Sequence, residues 1–220
     1  MRPRPAIALP LLALALLVAL ILAIVLGGSS GHSSSSSPTF ANPTGSAGFD
    51  GAALPGNVVA PDFTLTDRDG RRVSLSQYRG RVTVLTFLYS TCGAACVVIA
   101  QQIRGVLDEL GDEHARPPAV LIVSADPSAD TPADVSRFLA AVSLTGRVEY
   151  LTGTAAQLRK IWRQYRVTPA SAGRRAFAKY ASVLLLDAHS DERVLFQEEQ
   201  LTPESLAHDI GKLDGDPTHP

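Results

Sequence analysis

The sequence predicts an α/β sandwich in which helices flank a central mixed sheet, preceded by one N-terminal transmembrane helix. Two observations carry this prediction. Apolar and β-branched runs alternate with amphipathic helical stretches from residue 57 to residue 213, and the series ends in a hairpin and a helix. An apolar run without a charge extends from Ala6 to Leu26. The first pattern is typical of a folded domain, and the second of a membrane span.

Composition narrows the classes of function. The chain has 220 residues and a net charge of −1. Because it lacks a basic field that would attract nucleic acid, we exclude that class of partner. Its two cysteines are too few for a disulfide scaffold, and a close pair is typical of a redox or metal unit.

The N-terminus predicts the compartment. Arg2 and Arg4 precede the apolar run, whose length of about 20 residues spans roughly 30 Å as a helix, the thickness of a bilayer core. Secretory signal peptides usually have shorter apolar runs, of about 7–15 residues. We therefore expect a signal anchor over residues 1–27, with a cleaved signal peptide as the alternative. Positive charges stay in the cytoplasm, so we predict a single-pass protein of the cell membrane whose soluble domain faces outside.

Composition also sets the domain boundaries. Residues 28–56 are rich in Ser, Gly, Pro and Ala and have no hydrophobic periodicity, so we expect a flexible tether there. The folded domain then covers residues 57–213. Residues 214–220 are expected to form a disordered tail.

Local patterns predict the elements of the domain. It opens with a hairpin around the turn Asp67-Arg68-Asp69-Gly70, followed by a strand at residues 82–89 that is buried on both faces. A helix is predicted from Cys96 to Leu110, ended by Gly111. Further strands are predicted at 119–124, 148–151, 182–186 and 193–196, and further helices begin near Pro132, Ala155 and Pro203. Arg174 and Arg175 are expected in a loop rich in Gly and Ala.

The reactive centre is predicted at Cys92-Gly93-Ala94-Ala95-Cys96. The pair follows the buried strand and enters the next helix, whose N-terminus favours thiolate. A disulfide fits this C-x3-C spacing, and so do two thiolates on one soft cation such as Cu(I). Zinc normally requires four ligands, which no cluster of His and Cys supplies. The alternative is a pair of inert cysteines or a structural disulfide.

Several stretches resemble the Sco (synthesis of cytochrome c oxidase) family, also called SenC. The similarity is carried by FTLTD with DG at residues 63–70, YRGR and STC at 78–92, VSADP with DTP at 123–132, and LTGT with YRV at 151–167. It covers about residues 57–213. The stretch APDF at residues 60–63 is similar, more broadly, to the start of redoxin domains.

The resemblance implies a thioredoxin-like fold and a copper chaperone. In that family two cysteines and one histidine bind copper, and the protein helps to assemble the dinuclear copper centre of cytochrome c oxidase. Cys92 and Cys96 match the cysteine positions, whereas Gly93–Ala95 and Val97 replace the usual proline and aspartate. The implied cofactor is copper, as Cu(I). The implied partner is a cytochrome c oxidase subunit or another cysteine-containing protein outside the cytoplasm.

Lys179 stands where the family has its copper-binding histidine. Lysine is protonated near neutral pH and is a poor Cu(I) ligand, but a cation beside thiols favours thiolate. The third ligand is therefore not identified. We expect His189 in a turn at the far end of the following strand, and Asp126 and Asp130 in turn and capping roles.

Three functions remain open at this point. The first is copper delivery through the cysteine pair. The second is thiol-disulfide exchange by the same pair without copper, since some members of the family look more like thiol-disulfide reductants. The third is a structural role without chemistry.

Overall fold

The computed structural model of the protein describes residues 48–112 and 117–215. The predicted signal anchor at residues 1–27 and most of the predicted tether lie outside these residues, as does the tail from residue 216. Within the described part of the chain, no helix is long and apolar enough to cross a membrane.

One mixed sheet organises the domain. Its eight strands are β1 (Ala52–Ala53), β2 (Thr64–Asp67), β3 (Arg72–Ser74), β4 (Thr83–Leu88), β5 (Ala119–Ser124), β6 (Glu149–Thr152), β7 (Ser182–Leu186) and β8 (Glu192–Gln197). They lie in the order β1-β8-β7-β4-β5-β6-β2-β3. β4, β5 and β6 are parallel, and the outer strands pair antiparallel. The prediction of a central mixed sheet is confirmed.

Five helices cover the sheet in the described part of the chain. They are α1 (Ala94–Asp112), α2 (Pro132–Ala141), α3 (Ala155–Gln164), α4 (Arg174–Tyr180) and α5 (Pro203–Asp214). Helices α2, α3 and α5 begin where the sequence predicts, and the threonine before each accepts a hydrogen bond from the backbone N–H of the third helical residue. α1 continues through Gly111, so the prediction that this glycine ends the helix is wrong.

Two hydrophobic cores lie on the two faces of the sheet. β4 alternates between them: Val84 and Leu88 belong to the larger core, and Leu85 and Phe87 to the smaller. The larger core contains the apolar faces of α1, α2 and α5, and the smaller contains α3 and the β2–β3 hairpin. Because both faces are covered, every residue of β4 and β5 is buried.

The folded domain begins before the predicted boundary at residue 57. Phe49 is buried in the larger core, and β1 pairs with β8 as the edge strand of the sheet. The backbone N–H groups of Asp50 and Gly51 donate to the buried carboxylate of Asp209 in α5, each at 2.9 Å. We name residues 48–54 the strap. Its small residues resemble a linker in composition, and the acceptor that fixes it lies more than 150 residues away in the chain.

Candidate functional site

The cysteine pair lies where β4 gives way to α1. After β4 ends at Leu88, the Cys92 N–H donates to the Tyr89 carbonyl at 3.1 Å. The Val97 N–H donates to the Gly93 carbonyl at 3.3 Å, which starts the helical hydrogen-bond pattern. Cys96 is therefore in the first turn of α1, and Cys92 lies just before it. The pair occupies the carboxyl end of a central strand, where α/β sheets commonly place their sites.

Cys92 and Cys96 are joined by a disulfide, with their Cα atoms 5.9 Å apart. Cys96 is fully buried, whereas Cys92 is half-buried. Gly93 between them has a φ of +89°, in the left-handed region that favours glycine. Any attack on this disulfide, or any ligand of the reduced pair, therefore approaches from the side of Cys92.

The helix N-terminus sets the electrostatics of the pair. Backbone N–H groups at the start of α1 point toward the turn, and no acidic residue lies in the first turn of the helix. The residues from Gly93 to Val98 carry no charged side chain. The N-terminal end of the helix dipole therefore favours a thiolate at this site.

A buried carboxylate lies behind the cysteine turn. Asp130 accepts hydrogen bonds from the Ser90 N–H at 2.7 Å, the Ser124 hydroxyl at 2.6 Å and the Tyr150 hydroxyl at 2.8 Å. The Ser90 hydroxyl donates to the Ala129 carbonyl at 2.8 Å. These bonds connect the ends of β4 and β5 with β6, directly before the cysteine pair.

The environment of Asp130 differs from that expected of a turn residue. Burial raises the pKa of its carboxyl above the ordinary value, although the hydrogen bonds from Ser124, Ser90 and Tyr150 oppose this rise. Burial also raises the pKa of Tyr150 well above its ordinary range. Asp126 does have the expected turn role, because it accepts from the N–H and hydroxyl of Ser128.

The expectation of a turn or capping role for Asp130 is therefore wrong, and the sequence does contain a signal. Thr131 already serves as the N-cap of α2 and accepts from the Asp134 N–H. The neighbouring aspartate is consequently free for another role. Its burial and its partner Ser90, 40 residues earlier in the chain, have no local signature.

Helix α4 packs beside the cysteine turn. Phe177 meets the ring of Tyr89 in a T-shaped contact with centroids 4.9 Å apart. Lys179 is exposed on the same helix, with its Nζ 5.3 Å from the centroid of the Tyr180 ring. The loop expected at Arg174 and Arg175 is instead the first turn of α4. The predicted equivalence of Lys179 with a ligand position remains a prediction.

The described histidines lie away from the predicted ligand position. His189 is exposed in the turn after β7, whose last residue Leu186 pairs with Thr83 at the opposite end of β4 from the cysteines. His208 in α5 has its Nδ1 at 2.9 Å from an oxygen of Asp209 and at 3.5 Å from an oxygen of Asp50. Among residues 48–112 and 117–215, no His, Asp or Glu forms a cluster of three ligands with the two sulfurs. The only group of three such ligands among these residues is that of Asp50, His208 and Asp209.

Comparison with known proteins agrees with this architecture. A sequence model of the SCO1/SenC family matches residues 52–214. A bovine (Bos taurus) protein described as "Protein SCO2 homolog, mitochondrial" is 32% identical over 107 residues, which cover 48% of this chain and 40% of that protein. The chain spans about half or less of the length of the curated relatives that it matches.

Solved structures share the fold. Yeast Sco1 with copper bound has a TM-score of 0.63 at 17% identity, covering 75% of this chain and 99% of that one. BsSco, described as a member of the Sco family of cytochrome c oxidase assembly proteins with a disulfide switch, has a TM-score of 0.63 at 20% identity, covering 73% and 96%. A thioredoxin domain of a Bacteroides vulgatus thiol-disulfide oxidoreductase has a TM-score of 0.54 at 15% identity, covering 72% and 97%. The domain has a thioredoxin-like fold.

Proposed function

Because the chain belongs to the SCO1/SenC family, we propose that it is an extracytoplasmic copper-binding chaperone that acts through Cys92 and Cys96. The observation that carries this proposal is the convergence of the two cysteines at the N-terminus of α1. When reduced, they present two sulfur ligands in one turn, and Cu(I) prefers sulfur ligands. The copper-bound structure of yeast Sco1 supports copper as the cargo.

We further propose that the copper serves the copper centre of cytochrome c oxidase. The description of BsSco as one of a family of cytochrome c oxidase assembly proteins supports this destination. The partner would be an oxidase subunit or another cysteine-containing protein outside the cytoplasm. The arrangement also includes the predicted membrane anchor at residues 1–27, which would hold the domain beside a membrane partner.

Two steps at the cysteine pair follow from its geometry. An external dithiol reduces the disulfide: it supplies two electrons and two protons, the Cys92–Cys96 bond breaks into two thiols, and the reductant becomes a disulfide. On binding Cu(I), the thiols release protons, and the helix N-terminus stabilises the resulting thiolates. Because Cys96 is buried and Cys92 is half-buried, cargo enters and leaves beside Cys92.

The test is a Cu(I) competition experiment on the reduced full chain. A calibrated chelator competes with the wild-type chain and with the double variant Cys92→Ser, Cys96→Ser. We expect the double variant to lose at least about 100-fold in affinity, because loss of both ligands costs more than loss of an outer-shell partner. The matched control is His208→Ala, which removes one side chain from the separate cluster with Asp50 and Asp209 and should leave the affinity for Cu(I) unchanged. Equal affinities for wild type and double variant would refute copper binding at this pair.

A second candidate function uses the same pair without copper. The specific observation in its favour is the disulfide together with the lack of a third ligand among the described residues. The similarity to the thioredoxin domain of a thiol-disulfide oxidoreductase supports it as well. In this function the Cys92 sulfur exchanges with a cysteine of a partner protein, and Cys96 resolves the mixed disulfide.

The reduction potential of the pair tests the second candidate. We expect a value above about −300 mV, because structural disulfides lie below that level and resist the glutathione pool. The measurement equilibrates the full chain with glutathione mixtures and counts free thiols by alkylation. A potential well below about −300 mV would instead identify a structural bond.

A further inference from the structure

We propose that Asp130 is the positioning residue of the cysteine pair: it holds Ser90, and through Ser90 the turn that carries Cys92, in the conformation that closes the disulfide. This inference deepens the proposed function, since it rests on Cys92 and Cys96 being the reactive pair. It concerns the balance between dithiol and disulfide, which is measurable whether or not the chain carries copper.

Two hydrogen bonds clamp Ser90 at the exit of β4. Its N–H donates to Asp130 at 2.7 Å, and its hydroxyl donates to the Ala129 carbonyl at 2.8 Å. Both acceptors belong to the turn between β5 and α2. Ser90 is half-buried and lies two residues before Cys92, so its placement fixes where the cysteine turn begins.

Asp130 is itself fixed by neighbours on two other strands. The Ser124 hydroxyl at the end of β5 and the Tyr150 hydroxyl in β6 both donate to its second carboxylate oxygen. All three donors come from neutral groups, and the carboxylate is only 5% exposed. The Asp130 side chain therefore holds Ser90 at a fixed position relative to β5 and β6.

Disulfide geometry makes this clamp important for chemistry. The Cα atoms of a disulfide usually lie about 4.4–6.8 Å apart. The observed separation is 5.9 Å, so a movement of Cys92 by about 1 Å reaches the limit of that range. Cys96 is fixed by burial in the first turn of α1, which leaves the Cys92 side as the adjustable one. Releasing Ser90 frees that side and disfavours ring closure.

Two substitutions at Asp130 distinguish the effect of its hydrogen bond to Ser90 from the effect of its negative charge. Asp130→Asn keeps an oxygen for the Ser90 N–H and turns its amide toward Ser124 and Tyr150. The Tyr150 hydroxyl can accept from this amide because it has a second acceptor of its own, the Leu88 carbonyl at 3.3 Å. Asp130→Ala removes the acceptor of the Ser90 N–H and leaves the bond from the Ser90 hydroxyl to the Ala129 carbonyl.

The experiment equilibrates the purified full chain with mixtures of reduced and oxidised dithiothreitol and counts alkylated thiols. Each dithiothreitol that reduces the pair supplies two electrons and two protons: the Cys92–Cys96 bond breaks into two thiols, and the reagent closes its own ring. We expect Asp130→Ala to raise the equilibrium constant for reduction about tenfold, the order of effect of one hydrogen bond. Asp130→Asn should stay within about twofold of wild type, since it keeps the bond to Ser90.

The matched control is Tyr150→Phe, which removes one donor from the second oxygen of the same carboxylate but leaves the Ser124 donor and both hydrogen bonds of Ser90 in place. We expect it to lower the stability of the fold and to leave the reduction equilibrium within about twofold of wild type. A shift in Tyr150→Phe as large as that in Asp130→Ala would overturn the proposal. So would an Asp130→Ala variant whose equilibrium equals that of wild type.

If Asp130→Ala does not fold, Ser90→Ala tests the step from Ser90 to the cysteine pair, because it loosens the same clamp at its other bond. This substitution removes only the hydroxyl bond to Ala129, at a half-buried position that tolerates a smaller side chain. It should shift the equilibrium in the same direction by about twofold to threefold, and an unchanged equilibrium would overturn the proposal. A reduced chain that binds no Cu(I) would refute the chaperone role alone, so the two failures are distinct.

Discussion

At the scale of single residues, buried aspartates stabilise turns of this domain by accepting backbone N–H groups. Asp67, Asp130, Asp187 and Asp209 are all buried, and each accepts backbone N–H groups from a turn or from the strap. A carboxylate can accept several N–H bonds at once, which a neutral side chain of the same size does less well. The turn partners of Asp67 and Asp187 lie within four residues, so sequence patterns locate such turns. The partners of the other two are distant, and no local pattern reveals them.

Asp67 gives a pH-dependent prediction at this scale. Burial alone would raise the pKa of its carboxyl, but hydrogen bonds from Arg71 and the Asp69 N–H outweigh burial, and the pKa lies below its ordinary value. A depressed pKa in the folded state contributes stability above the unfolded value of about 3.9, and this contribution is lost as the pH falls through the folded pKa. Asp67→Asn should therefore destabilise the fold by about 1–2 kcal/mol at neutral pH, and by less in acid.

Urea denaturation of wild type and Asp67→Asn at pH 7 and at about pH 3 measures this difference. The control is Asp69→Asn in the same turn, whose side chain is 61% exposed and should have little effect at either pH. A destabilisation by Asp67→Asn that is equally large at both pH values would contradict the role of the charge.

At the scale of elements, the apolar pattern predicts the strands and helices whose structure depends on their own sequence. The buried strand β4 and the helix α1 are each apparent from their apolar pattern, which is why the cysteine turn between them is predictable. α4 is not, because it has seven residues and follows Gly173, which provides no side-chain cap. Its stability comes from packing, through Phe177 against Tyr89. β1 has only two residues, both alanine, and its strand structure comes from pairing with β8 rather than from a local pattern.

The candidate site also has one part that the local sequence predicts and one part that it does not. The positions of Cys92 and Cys96 follow from the strand and the helix that flank them. The bond from Ser90 to Asp130 joins residues 40 apart across two parallel strands, so it depends on the assembled sheet. The sequence therefore locates the two cysteines, and the residues that we propose position them emerge only from the fold.

At the scale of the whole molecule, the strap makes the fold depend on both ends of the domain. Phe49 lies in the same core as α5, and the Lys212 Nζ lies 4.8 Å from the centroid of its ring. The strap's N–H groups satisfy Asp209, a carboxylate that is fully buried in α5. A buried acceptor that loses its donors is costly, so α5 needs the strap as much as the strap needs α5.

Truncation tests this dependence. A chain that begins at residue 57, the boundary expected from composition, should be at least about 3 kcal/mol less stable than one that begins at residue 48, because it exposes core beneath Phe49 and leaves Asp209 without two donors. Chemical denaturation of both chains measures the difference, with Phe49→Ala in the longer chain as the control that removes the ring and keeps the N–H donors. The stability of Phe49→Ala should lie between the stabilities of the chains that begin at residues 48 and 57. Equal stabilities of the two truncated chains would show that the strap is dispensable and that the folded domain begins at residue 57.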